Sequence, residues 1–195
     1  MSMLGTRVAR KEDPELLTTG GKYVDDIAPP DALHAVFVRS LVAHAEITEI
    51  NTAEAKTMPG VVAVYTEADI DQAPRPPRMP LNNQAMVRPW LASGRVRYVG
   101  EAIVMVLAET RAAAVDAAEM VFVDYEPLNV VLSLKEFQRD EMLLFPDVGT
   151  NTIFAVPGAG TEGLFDDCDV VTELTFRNQP MSSAPMEPRG VLGRA

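Results

Sequence analysis

Residues Ala102 to Ala108 read AIVMVLA, and after Glu109-Thr110 the chain continues from Arg111 to Met120 as RAAAVDAAEM. An unbroken apolar run of strand length, bounded by polar residues, is the pattern of a central strand buried on both faces. Thr110 is a suitable helix N-cap, and Val115, Ala118 and Val121 or Phe122 then recur at helical spacing. Ala112, Ala113, Ala114 and Ala117 give that helix a small face that can approach a sheet closely. Val121 to Tyr125 alternates as a strand, and Pro127, which has no N–H to donate, ends it. Strand, helix and strand in this order place the chain in the α+β class, with the core around AIVMVLA.

Upstream, Leu33 to Ser40 (LHAVFVRS) carries apolar side chains on both alternating faces and reads as an interior strand covered on both sides. Ile47 to Ile50 reads as its partner. Asn51-Thr52-Ala53-Glu54 opens a short helix that Met58-Pro59-Gly60 closes, and Val61 to Tyr65 (VVAVY) resumes strand composition. Thr66 with Asp69 repeats the helix-start signal. Asp71 to Gly94 holds Pro74, Pro76, Pro77, Pro80 and Pro89, which predicts a long irregular loop. Before these elements, Tyr23 to Ile27 reads as a short edge segment between Gly20-Gly21 and Pro29-Pro30. After them, Leu134 to Gly163 shows no sustained period and reads as extended chain. Val170 to Arg177 (VVTELTFR) alternates like a strand whose partners are not evident in what precedes it.

The sequence has 195 residues, 17 basic and 28 acidic, a net charge of −11, and one cysteine. A chain of this length buries roughly 70% of its unfolded surface and needs no disulfide staples. The lone Cys168 cannot form an internal bridge, which points to a reducing, cytoplasmic setting. The negative balance argues against a nucleic-acid partner, because phosphate backbones repel it. No apolar run approaches the roughly 18 residues of a membrane span, so membrane insertion is not expected.

No catalytic, cofactor-binding or metal-ligating residue is expected from the local motifs. Gly158 to Gly163 matches G-x-G-x-x-G, but Pro157 precedes it and no crossover helix follows, so it reads as a loop and not a dinucleotide site. His34 and His44 stand without Cys or carboxylate at ligand spacing, and His44 reads as a turn histidine bonded to a carbonyl. Asp166, Asp167 and Asp169 lack the glycine and distal glutamate of a calcium loop. Glu187 and Arg189, in Glu187-Pro188-Arg189-Gly190, are the candidates for contacts between domains.

Several blocks occur together and in order: Gly21-Lys22-Tyr23-Val24-Asp25-Asp26-Ile27, Leu33-His34-Ala35, Ala43-His44-Ala45, Pro59-Gly60-Val61, Val96-Arg97-Tyr98-Val99-Gly100-Glu101, Ala108-Glu109-Thr110-Arg111 and Asp124-Tyr125-Glu126-Pro127-Leu128. With Gly149-Thr150-Asn151 and Met186 to Gly190, they resemble the opening of the molybdenum hydroxylase large subunit. That family includes xanthine dehydrogenase, aldehyde oxidase and the aerobic carbon monoxide dehydrogenase large chain, and the closing blocks look nearest to the last. Leu41 and Asn129 depart from the family pattern, which usually has proline at those turns.

The resemblance implies an α/β-hammerhead domain, a mixed sheet with short helices, over residues 17–132. An extended arm over 1–16 would precede it. Residues 133–195 would form a linker and the first strand of a molybdenum-cofactor-binding domain. It further implies an amino-terminal fragment that is inert alone and belongs to an oxidoreductase when intact. Molybdopterin, as the cytosine dinucleotide or its shorter relative, would lie in the missing domains. A 2Fe-2S small subunit and an FAD-binding medium subunit would be partners. The alternative is a free-standing assembly or binding module that uses the fold without redox chemistry.

Overall fold

The computed structural model describes residues 5, 8, 10–156, 158, 160–179 and 181–193. Two compact units form, one from Met1–Ala32 with Phe165–Ala195 and the other from Leu33–Leu164. The first holds two short helices, α1 (Asp13–Thr18) and α2 (Val24–Ile27). Pro14 stands in the first turn of α1, where its missing N–H costs nothing.

The second unit contains the strands β1 (His34–Arg39), β2 (Ala45–Asn51), β3 (Val61–Tyr65), β4 (Arg95–Val96), β5 (Ala102–Ala108) and β6 (Phe122–Pro127). Its helices are α3 (Ala53–Thr57), α4 (Arg111–Glu119) and α5 (Leu134–Phe137), with 3-10 turns at Glu67–Asp69 and Pro146–Val148. The strands form two three-stranded sheets, β1-β5-β3 and β4-β2-β6, and every ladder is antiparallel.

AIVMVLA is the middle strand of the first sheet, and its Ile103, Val104, Val106 and Ala108 are fully buried. Helix α4 packs on β1, β3 and β5 through the fully buried Ala114 and Ala117, the small face read from the sequence. The Ala113 N–H donates to Thr110 Oγ1 at 3.2 Å, so Thr110 is the N-cap. Alternation places Val36, Val38, Val104 and Val106 toward this helix and its core, and Phe37, Arg39 and Met105 on the opposite face.

Five expectations require correction. Ile47 to Ile50 is not the partner of Leu33 to Ser40: it lies in β2, which pairs with β4 and β6 in the other sheet, while β1 pairs with β5. Leu33 to Ser40 is not an interior strand: β1 is an edge strand among the described residues, and Phe37 on its outer face is 40% exposed. Tyr23 to Ile27 is not an edge strand but the one-turn helix α2, whose start is fixed locally by the Tyr23 N–H donating to Asp26 Oδ2 at 2.9 Å. Residues 170–177 form no ladder among the described residues, and Leu174 and Phe176 are exposed; alternation marks the two faces of a strand but does not supply a neighbour for it. The stretch 134–163 holds α5, a 3-10 turn and a hydrogen-bonded loop in which Asp140 and Asn151 brace one another, so it is more than extended chain. Pro157 and Ala159 of the glycine motif, Arg194, Ala195 and several residues before Asp13 lie outside the described residues.

Candidate functional site

The block Arg97-Tyr98-Val99-Gly100-Glu101 forms a hydrogen-bonded knot between β1 and β5. Glu101 is 94% buried, and its Oε2 accepts from the Arg97 N–H at 2.6 Å. The Ser40 N–H donates to the Glu101 carbonyl at 2.8 Å, and the Gly100 N–H to the Ser40 carbonyl at 2.7 Å. Gly100 sits at φ +89°, a left-handed conformation that a Cβ would strain. Arg39 Nη1 completes the knot on the Gly100 carbonyl at 2.9 Å.

Arg97 ties this knot to the loop before the second 3-10 turn. Its Nε donates to the Leu144 carbonyl at 2.9 Å, and its guanidinium lies 4.6 Å from the centre of the Phe145 ring. Burial pulls the Arg97 pKa down from its ordinary value, Glu101 opposes that, and Arg95 and Arg88 add to it. The guanidinium stays charged, as arginine does throughout the working range of proteins.

Beside the knot, the outer face of β1 and β5 opens into a groove of about 540 Å³. Phe37 and Met105, paired across the ladder, form its floor, and the proline-rich loop brings Arg75, Arg88 and Trp90 to its wall. The loop is held by paired backbone bonds between Arg75 and Arg88 at 2.7 and 3.0 Å. Trp90 Nε1 donates to the Ala73 carbonyl at 3.0 Å, and the Arg75 guanidinium lies 4.7 Å from the centre of its ring. A second cavity of about 760 Å³ shares Arg75, Arg88 and Trp90 and adds Arg78 and Phe145. Sequence reasoning missed this concentration of arginines. Its residues are spread over a loop that shows only its prolines, and the one available signal was a sole tryptophan set among Arg75, Arg78 and Arg88.

The other residues singled out from the sequence are dispersed. His44 is buried, with Nδ1 2.8 Å from the Asn129 carbonyl and Nε2 without a partner among the described residues. Cys168 is exposed and unpaired. Gly158, Gly160 and Gly163 lie in irregular chain and a turn, with no strand leading into them. Glu187 Oε1 accepts from the Val24 N–H at 3.0 Å, whereas Arg189 is exposed. Among the described residues no three His, Cys, Asp or Glu side chains converge as a metal site would require. No helix among the described residues is long and apolar enough to cross a membrane.

Two antiparallel sheets, an alanine-faced helix docked on one of them and the R-Y-V-G-E knot define an α+β domain of the hammerhead kind. Residues 18–129 match the family model described as "Aldehyde oxidase and xanthine dehydrogenase, a/b hammerhead domain". The chain belongs to that family. It is similar to the nicotine 6-hydroxylase large subunit of Paenarthrobacter nicotinovorans, 39% identical over 98% of this chain and 24% of that one. It is likewise similar to the carbon monoxide dehydrogenase large chain of Afipia carboxidovorans, 33% identical over 94% of this chain and 24% of that one. The solved structure of the Desulfovibrio gigas aldehyde oxidoreductase superposes with a TM-score of 0.70 at 32% identity, covering 83% of this chain and 19% of that one. The chain thus spans about a quarter of the length of these two curated relatives.

Proposed function

We propose that this chain is the amino-terminal scaffold of a molybdenum hydroxylase large subunit of the carbon monoxide dehydrogenase-like branch. It contributes to an oxidoreductase in the intact complex and carries out no redox chemistry alone. The observation that carries the reading is continuous similarity to one large subunit along 98% of the chain, well beyond the hammerhead match itself. In this reading residues 17–132 are the hammerhead domain, 1–16 an arm, and 133–195 the lead into molybdopterin-binding domains. Those domains would hold the molybdopterin, as its cytosine dinucleotide or the shorter form. A 2Fe-2S small subunit and an FAD-binding medium subunit would accept the electrons, in the cytoplasm. The role of this part is to fold independently and to present surfaces on which the cofactor-bearing parts pack.

A chimera tests it. Residues 1–195 replace the matching quarter of the nicotine 6-hydroxylase large subunit, which is co-expressed with the other subunits of that enzyme. The expected result is an assembled complex whose molybdenum content is close to that of the parent, while the 195-residue chain purified alone carries none. A chimera that folds but excludes the other subunits, or molybdenum retained by the isolated chain, overturns the reading.

A further inference from the structure

We infer that the arginine-lined groove beside Trp90 is a docking surface for an extended, acidic segment of a partner polypeptide. Three observations within the Leu33–Leu164 unit lead there. The first is charge. In a chain of net charge −11, Arg39, Arg75 and Arg88 converge on one groove, with Arg78 in the adjoining cavity. The one ion pair among the described residues is elsewhere, Arg95 to Glu46 at 3.0 Å, so these four guanidinium groups have no carboxylate partner there. The one carboxylate that lines the groove, Glu101, is already engaged on the Arg97 N–H, and Glu67 beyond it accepts from the Leu91 N–H at 2.7 Å. Converging like charges cost electrostatic energy that an incoming run of carboxylates would relieve.

The second observation is an open strand edge. β1 pairs with β5 on one side, and its other edge has no ladder among the described residues. An unpaired edge offers main-chain N–H and C=O groups to an added strand, a mode of recognition open to a polypeptide and closed to a small anion. The third is alternation. Phe37 and Arg39 are two residues apart on the groove face of β1, so every second side chain of an added strand would face the same groove. Acidic residues at alternate positions would then meet Arg39, Arg75 and Arg88 while Phe37, Met105 and Trp90 pack against the apolar parts of the segment.

Trp90 is the only tryptophan of the chain, so its fluorescence reports on the groove without labelling. The full 195-residue protein is titrated with a synthetic peptide in which glutamates alternate with valines, with the same peptide carrying glutamine for glutamate, and with inorganic pyrophosphate. The acidic peptide is expected to give a saturable change that weakens as salt is raised. Substituting both Arg75→Glu and Arg88→Glu should lower its affinity about tenfold or more, and Arg111→Glu on the remote α4 surface should leave it unchanged. Affinity is the readout, because Arg75→Glu also alters the baseline emission by removing the cation–π contact. The milder Arg88→Gln should weaken binding in the same direction with an unaltered melting curve, which keeps the test valid if the double variant misfolds. Methylating alternate peptide nitrogens should weaken binding, as strand pairing requires. Equal affinity for the glutamine peptide, pyrophosphate binding as tight as the acidic peptide, or indifference to the arginine substitutions would overturn the inference.

Discussion

Glu187 and Val24 are separated by 163 positions in sequence, yet the Val24 N–H donates to Glu187 Oε1 at 3.0 Å. Val24 is the first residue of α2, where a backbone N–H has no intrahelical acceptor, and a carboxylate there satisfies the donor. Three residues after Glu187, Gly190 lies so close to the same valine that a Cβ on it would stand 2.7 Å from Val24 Cγ1 and 3.0 Å from Val24 Cβ. The segment 187–190 is therefore gripped twice by one residue, once through a polar group and once through packing.

The packing half of this grip is the more demanding. Gly190→Ala should destabilise the unit formed by Met1–Ala32 and Phe165–Ala195 by about 1–3 kcal/mol, the usual cost of overfilling a tight contact. Val24→Ala removes the obstructing methyl groups, so the double variant should recover most of the loss. Hydrogen exchange at the α2 amides measures both, and a double variant no better than Gly190→Ala alone would show that the close approach is not what limits the site.

The helix α4 contact should behave in the opposite way on its two faces. Ala117 is fully buried against the first sheet, whereas Val115 is 41% exposed. Ala117→Leu should cost about 1–3 kcal/mol and Val115→Leu less than about 0.5 kcal/mol. Thermal unfolding separates them, and equal midpoints would mean that the helix is not held by close approach of its small face.

Several parts of the fold were legible because a local rule and the tertiary environment agree. AIVMVLA is apolar throughout and lies at the centre of a sheet; Thr110 caps α4; Ala114 and Ala117 meet the strands. The misread parts are those where a local pattern has two physical causes. Phe37 made LHAVFVRS look covered on both faces, but the ring lines an open groove. VVTELTFR alternates as a strand does, and alternation says nothing about whether a neighbouring strand exists. The groove itself was invisible because Arg39 and Arg88 lie 49 positions apart and only the folded loop brings them together. Glu187 is offered by the sequence for contacts between domains, whereas the contact the structure gives it lies within its own unit. Its partner is the backbone of Val24, which no side-chain pattern announces, and nothing in the structure explains Arg189.

The unit boundary separates two readings of the chain after β6. The resemblance places the end of the hammerhead domain at residue 132, whereas the compact unit runs to Leu164. Asn151 donates to the Met142 carbonyl at 2.7 Å, Leu144 N–H donates to Asn151 Oδ1 at 2.9 Å, and Arg97 reaches back to the Leu144 carbonyl. Limited proteolysis with mass analysis should therefore leave a resistant core that includes residues 138–151, and Asn151→Ala should move the first cuts into that stretch. A resistant core ending near 132 in the unsubstituted protein would show that these bonds do not hold the segment.

Two exposed caps should titrate before anything in the core responds. Asp69 Oδ2 accepts from the Thr66 N–H at 2.7 Å and from Thr66 Oγ1 at 2.8 Å, and these bonds, the backbone one foremost, hold its pKa below the ordinary value. Glu136 is lowered chiefly by the hydrogen bond from the Ser133 side chain, then by the Ser133 and Leu132 N–H groups. A carboxylate whose folded-state pKa is depressed contributes fully above its ordinary value, about 3.9 for Asp and 4.3 for Glu, and the contribution is lost as pH falls through the lowered folded-state value. Both groups lie at the surface, so the loss should fray the Thr66 and Ser133 turns locally and barely move the global melting midpoint. The amide proton shifts of Thr66 and Ser133, followed by NMR across acid pH, should titrate with midpoints below those ordinary values and stop responding in Asp69→Asn and Glu136→Gln. Midpoints at or above the ordinary values would mean that the carboxylates are not engaged as caps in solution.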